Sequence, residues 1–421
     1  MGWRDWVGWA NWRGWSTADL VYLLLDEFTT ADAAPLTSPR TCEPGPGTLT
    51  AAQVDGSLAV ASGALDVTAQ ATPAWGDLGL YGAAVTRSSG VALVASISVA
   101  TWEELGLGWH TAGAVADPDA MEHALQLHAT DGRLDMRGDI ALTAGLSTAT
   151  PYKLAVILLS TGAVMAIYDG AAWRLLFVSS TGATATLYPA LASLDAVASL
   201  AQLAILDLTD PRNANPAGTD WSDPYSLAIV HDTFTDTNDV NLTAHTPETG
   251  GPWTIWGNGS AAASIQSNAA VTTTTTALVR VDAGTADVVV IATVSGTLLA
   301  NNNHQLYFRM TDEQLLLNCW YYRISASGNV RIYEVVNDVH TLRGSTTVTV
   351  ATGGSMIVRC SGSDIRGFYR SPAGVYTALT AYTSTVHQAE TRHGFQIGSP
   401  ATLDGFTVYP INITNSLPEG L

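Results

Sequence analysis

Asp236-Thr-Asn238-Asp239-Val-Asn241 crowds oxygen-bearing side chains into one short stretch. Asp236, Asn238 and Asp239 are the candidate ligands there for calcium, a cation that takes six to eight oxygens. Asx-turns account for the same residues without a metal. The remaining candidates are carboxylates, imidazoles and indoles. Glu103 and Glu104 are adjacent and would point to opposite faces of a strand, and Asp131 and Asp135 straddle a turn, so solvated surface carboxylates are expected. His123 and His128 share a face in neither helix nor strand, which argues against a metal pair. Trp102, Trp109, Trp253 and Trp256 are the indoles available to stack on sugar rings, with a place in the core as the competing expectation. The chain lacks Gly-x-Ser-x-Gly, His-Glu-x-x-His, Cys-x-x-Cys and a phosphate-binding glycine loop. No catalytic residue is assigned, and the chain is expected not to be an enzyme.

Five further tryptophans, Trp3, Trp6, Trp9, Trp12 and Trp15, recur at every third position. Period three is not the α-helical period, whereas an extended three-per-turn chain would hold the indoles in one row. Such a row either folds back on its own domain or docks on another subunit, because an exposed strip of indoles promotes aggregation. The second alternative makes these five residues a partner-binding arm.

The elements that must position these groups come in two copies. A shift of 206 residues carries Asp232 onto Asp26, Phe234 and Thr235 onto Phe28 and Thr29, and Leu242 and Thr243 onto Leu36 and Thr37. The same shift carries Gly251, Pro252 and Thr254 onto Gly45, Pro46 and Thr48 without a gap, so the chain reads as a repeated domain. Leu20 to Leu25 follows a helix-like capping box, but its counterpart Tyr225 to Val230 runs straight into Asp232, so both are expected to be strands. Asp117-Pro118 suggests one helical turn, and Leu125 to Met136, interrupted by Asp131-Gly132, suggests a hairpin, paralleled by Tyr322 to Ile332 around Gly328-Asn329.

The second copy reads D-x-F, an Asp/Asn-rich turn, a Leu, then P-x-x-G-G-x-W. It resembles the opening strand and loop of concanavalin A-like (lectin/glucanase-type) jelly-roll domains of bacteriophage virion and tail proteins. The hairpin Tyr152 to Trp173, ending Tyr-Asp-Gly-Ala-Ala-Trp, has its parallel in Met356 to Tyr376. The resemblance implies an all-β fold of two tandem antiparallel β-sandwiches and carries no activity with it. Glucanases of this type carry Glu-x-Asp-x-x-Glu on one strand face to flank a glycosidic bond, and that pattern is absent here.

Size and composition agree. The 421 residues are 47% hydrophobic and only 13% charged, with Gly and Pro between short apolar runs. A formal net charge of −19 argues against nucleic acid as a partner. Three cysteines, Cys42, Cys319 and Cys360, are expected as buried thiols of a chain folded in a reducing cytoplasm. Leu20 to Leu25 is too short to span a bilayer, no signal peptide is evident, and no membrane insertion is expected. The expected organisation is a Trp-rich arm over 1–14, a first jelly roll over 15–208, a polar linker over 209–223 and a second jelly roll over 224–421. The resemblance implies a structural component of a virion assembled in the host cytoplasm. Its partners would be other virion proteins, in a homo-oligomer or symmetric array. A glycan-binding or receptor-binding tail-fibre module, or a depolymerase, facing a cell-surface glycan, is the alternative.

Overall fold

The computed structural model describes residues 20–417, apart from 102–103, 129–131, 137–139, 144–145, 148–149, 211, 214–218, 257–262, 273–275, 297–303 and 313–316. The arm bearing Trp3, Trp6, Trp9, Trp12 and Trp15 lies outside the described residues, as do Trp102, Glu103 and Asp131. The chain is all-β and antiparallel, and it divides into two compact units: Met1–Ser226 with Asn412–Leu421, and Leu227–Ile411. No helix among the described residues is long and apolar enough to cross a membrane.

In the first unit one sheet runs Trp173–Ser179, Ala163–Tyr168, Tyr152–Leu158, Val91–Thr101, Val197–Asp207, Ala64–Val67, Leu58–Ala61, with Tyr22–Asp26 also on Val197–Asp207. The other runs Ile140–Thr143, Arg133–Met136, His123–His128, Glu104–His110, Thr186–Leu194, Leu78–Gly82, Thr48–Gln53, Arg40–Thr41. Val91 to Ile97 lacks a period-two pattern because every one of its residues is buried, as expected of a strand covered on both faces. Trp109 joins the two layers: its indole is buried and donates to the Val156 carbonyl of the opposite sheet at 2.9 Å.

The second unit repeats the plan. Its back sheet runs Tyr376–Ala378, Asp364–Arg370, Ser355–Ser361, Val288–Gly296, Ala401–Pro410, with Val230–Asp232 on the last of these. Its front sheet runs Thr254–Ile255, Ala277–Asp282, Arg392–Ile397, His304–Met310, Cys319–Ile324, Asn329–Val336, Val339–Thr347. Val290, Val358 and Phe406 from the back meet Leu306, Trp320, Tyr322 and Phe395 from the front in one apolar core. The hairpins expected in both units are present, Leu127 opposite Leu134 in the first and Tyr322 opposite Ile332 in the second. The Asp117-Pro118 signal becomes a single 3₁₀ turn, Pro118–Ala120, with Asp117 accepting from the Asp119 amide at 2.9 Å.

The D-x-F element has the same job in both units. Asp26 and Asp232 are fully buried, and each accepts from the amide two residues on, Phe28 at 2.8 Å and Phe234 at 2.6 Å. Both phenylalanines sit at positive φ, 51° and 55°, which is costly for a bulky residue and is held by that turn and by complete burial of the ring. The second carboxylate oxygen differs: Arg40 Nε donates to it in the first unit at 2.8 Å, and Trp253 Nε1 in the second at 2.6 Å.

Four expectations need correction. The 209–223 segment is not a free polar linker where it is described: Asn213 is buried and clamps both the amide and the carbonyl of Val21 at 2.7 Å, and Trp221 is buried. The second unit ends at Ile411, and the chain then returns to the first, where the Trp173 carbonyl accepts from the Ile413 amide and the Trp173 amide donates to the Thr414 hydroxyl, both at 3.0 Å. Only Val230 of the Tyr225 to Val230 stretch is strand, because Asp223 caps a turn by accepting from the Tyr225 amide at 2.9 Å. Asp135 is not a solvated carboxylate but a buried one, 3.1 Å from His128 Nε2 and 2.9 Å from Arg133 Nε. The three cysteines are buried free thiols.

Candidate functional site

Each unit presents the outer face of its front sheet, and the two faces differ in what lies on them. In the first unit the floor is small: Gly106 and Gly108 on one strand, Ala190 and Ala192 on the next, Gly79 beyond. The chain fills this space itself. Val115, Met121, Ala124, Ala190 and Ala192 form a buried cluster, and a Cβ on Gly106 would overlap the Pro118 ring. What remains is Glu104, 3.3 Å from His128 Nδ1 and accepting from Gln126 Nε2 at 3.0 Å, beside the Asp135 group. Its hydrogen bond to Asp135 raises the His128 pKa against the opposing effect of burial. These carboxylates are committed to cations, which suits an ion network within the sheet better than an acid and a nucleophile awaiting substrate.

The face of the second unit carries two parallel rows, set by strand register. One row crosses the sheet as Leu278, Gln396, Gln305, Arg323, Arg331 and Ser345. The other crosses as Arg280, Gly394, Tyr307, Tyr321, Tyr333 and Leu342. The alternation of strands explains the pattern: Leu306, Phe308, Trp320, Tyr322 and Ile332 point into the core, so their neighbours Gln305, Tyr307, Tyr321, Arg323 and Tyr333 point out.

The tyrosine row is stacked, with Tyr321 and Tyr333 ring centroids 4.8 Å apart at 16° and Tyr307 and Tyr321 5.3 Å apart. Tyr307 and Tyr321 are buried and Tyr333 is part-exposed. Burial is the first cause that raises the Tyr321 pKa to about 12, so its phenol stays protonated, and its hydroxyl lies 3.2 Å from Nδ1 of the exposed His340. The Tyr307 hydroxyl lies 2.9 Å from the Gln305 amide oxygen and 2.8 Å from that of Gln396. One proton serves only one of them, so the two amides compete for it. Gln305, Gln396, Arg323, Arg331 and Tyr333 are all part-exposed and form a polar-aromatic strip. Such a strip can donate to hydroxyl and carboxyl oxygens through amides and guanidinium groups, and cover an apolar ring face with Tyr333.

Gly394 opposes Tyr307, and a Cβ there would overlap the Val279 carbonyl oxygen and stand 2.7 Å from the Arg280 Cα. Gly394→Ala is therefore expected to force the two strands apart and destabilise the second unit by about 1–3 kcal/mol. Urea unfolding of the variant checks this.

The residues singled out from sequence lie elsewhere. Trp109, Trp253 and Trp256 are buried and offer no face to a sugar: Trp253 packs edge-on against Phe395 and Phe406 at 5.1 Å, and Trp256 joins Leu278, Tyr307 and Met310. Asp236 turns to His245, 2.9 Å from its Nδ1, Asn238 accepts from the Ser267 amide at 2.8 Å, and Asp239 accepts from Gln266. These side chains tie a loop together, as Asx-turns and capping bonds do. Among the described residues no group of three or more His, Cys, Asp or Glu is placed to hold a metal ion. The strip itself was missed because its members are scattered from 305 to 396. Its one local signal was the alternation of polar and aromatic residues at every second position in three separate pairs, Gln305 with Tyr307, Tyr321 with Arg323, and Arg331 with Tyr333.

No family model matches the sequence, and no curated protein matches it. Solved structures match each over part of the chain. The carbohydrate binding module CBM66 from Bacillus subtilis is 9% identical, with 38% of this chain and 92% of that one covered, at a TM-score of 0.25. The VIP36 exoplasmic/lumenal domain in its Ca2+/Man2-bound form is 9% identical, with 41% and 86% covered, at 0.31. Lectin UEA-II complexed with galactose is 8% identical, with 41% and 97% covered, at 0.28. At these scores the likeness carries no argument, and the architecture stands on the strand order and core described above.

Proposed function

We propose that this chain is a non-enzymatic carbohydrate-binding protein whose binding face is the outer surface of the second unit's front sheet. The observation that carries it is the row Gln396, Gln305, Arg323, Arg331 beside the part-exposed Tyr333. Saccharide recognition needs amide and guanidinium groups for hydroxyls next to an aromatic ring for the sugar's apolar face, all on a rigid support. Strands supply the support, and the buried rings of Tyr307 and Tyr321, in the same row as Tyr333, hold it in place. The first unit is assigned no ligand, since its own 111–121 segment occupies the corresponding face.

A glycan array probed with the full chain tests the reading. Binding is expected, and Tyr333→Ala should weaken it about tenfold, the loss of roughly 1.4 kcal/mol of ring contact. Unchanged binding by Tyr333→Ala would move the site elsewhere. A setting on a bacteriophage particle, as tail, fibre or capsid decoration, is the part of the proposal that the sequence resemblance supports, and recovery of the protein with purified particles tests it.

A further inference from the structure

Arg323 and Arg331 lie directly opposite one another on adjacent strands of the strip. Like charges in that position repel and cost a sheet stability. The chain has 18 Lys and Arg against 37 Asp and Glu, so acidic partners are abundant. Yet the ion pairs among the described residues engage Arg280, Arg309, Arg343, Arg359, Arg366 and Arg392 in this unit, and neither Arg323 nor Arg331. Both turn instead to one ring: the Arg323 guanidinium stands 6.0 Å from the Tyr333 centroid, and Arg331 Nη1 donates to the Tyr333 hydroxyl at 3.4 Å. Two part-exposed guanidinium groups held side by side, with no carboxylate among the described residues paired to either, are an anion site whose counter-charge comes from outside.

We infer that the ligand of this face is an acidic glycan, its carboxylate held between Arg323 and Arg331 and its neutral sugars extending over Gln305 and Gln396. This rests on the carbohydrate reading above and specifies it. The charge balance sets the kind of acid. With a net charge of −19, the protein repels a polymer bearing an anion at every step, such as single-stranded DNA. A polysaccharide with one carboxylate per repeat, spaced by neutral sugars, satisfies the two arginines without that penalty.

The test uses the full chain and a panel of uronic acid-containing polysaccharides, each in native and carboxyl-reduced form, with neutral dextran and single-stranded DNA alongside. Binding to at least one native polymer is expected, falling about tenfold or more on carboxyl reduction and by a similar factor in Arg323→Gln and Arg331→Gln. The same two substitutions should leave the protein folded and raise its melting temperature by about 1–2 °C, because they relieve a repulsion; a merely structural pair would lower it. Equal binding to native and carboxyl-reduced polymers overturns the acidic-ligand inference while leaving the carbohydrate reading intact. Preferential binding of DNA overturns the inference in favour of phosphate. Binding to no polysaccharide of the panel or the array overturns both.

Discussion

Replacing Asp232 by alanine is expected to destabilise the second unit by about 3–5 kcal/mol, the cost of stranding buried partners of a charged group. Three donors converge on this fully buried carboxylate: the Phe234 amide at 2.6 Å, Trp253 Nε1 at 2.6 Å and His245 Nε2 at 3.0 Å. Alanine leaves an indole N–H and a backbone N–H without acceptors in the interior, and releases Phe234 from the turn that holds it at a φ of 55°. Asp232→Asn keeps one acceptor and should cost less. The measurement is hydrogen exchange in urea on the full chain, read from peptides of Ala277–Asp282 and Arg392–Ile397. Protection within about 0.5 kcal/mol of the parent in Asp232→Ala would show that the D-x-F anchor does not hold the unit together.

Acidification from pH 6.5 to 4 is expected to remove roughly 3 kcal/mol of stability from the second unit for each of two histidines. His304 and His393 are fully buried, and burial lowers the pKa of each from 6.5 to about 4. The neutral ring of His393 is satisfied on both sides, its Nε2 3.1 Å from the Thr285 carbonyl and its Nδ1 accepting from the Arg309 amide at 3.4 Å. A second proton would set a cation against that amide and beside the Arg309 guanidinium. His304 Nε2 likewise meets the Thr402 carbonyl at 3.1 Å. Since the folded values lie below the unfolded one, the contribution is complete above pH 6.5 and is lost as the pH falls through 4. His245 works in the opposite window. Burial opposes its proton, but Asp236 and Asp232 together raise its pKa above 6.5, so its contribution is complete below that value and declines as the pH rises through the raised one. Stability should therefore peak close to the ordinary histidine pKa. The same exchange measurement across pH 4–8 checks this: His304→Gln should flatten the acid limb and His245→Gln the alkaline limb, and an acid limb unchanged by His304→Gln would refute the assignment.

Local pattern carried the sequence reading where one strand or one turn was at issue. The shared D-x-F spacing marked the same turn in both units because an Asp two residues before a Phe can accept that residue's amide without help from elsewhere. The hairpins were legible for a similar reason, alternation on both sides of a glycine turn. Pattern failed where a residue's partner came from far along the chain. The 209–223 segment looks polar in composition, but Asn213 is there to satisfy Val21, and Trp221 is buried against the first unit. Trp253 and Trp256 are in the core, the place expected of most tryptophans in a sandwich, but nothing in their own stretch reveals that Phe395, Phe406 and Tyr307 are what enclose them.

The binding strip shows the division most clearly. Sequence alone determined that Arg323 and Arg331 lie on the two strands of a hairpin, and that residues at every second position share a face, because side-chain direction alternates with a period of two. Tertiary structure alone decided that Arg323 opposes Arg331 and that Gln305 stands between Arg323 and Gln396. Those facts depend on strand register. Register is set by the fit of whole apolar faces across the core, and a slip of one residue would turn the arginines inward and the core tyrosine outward.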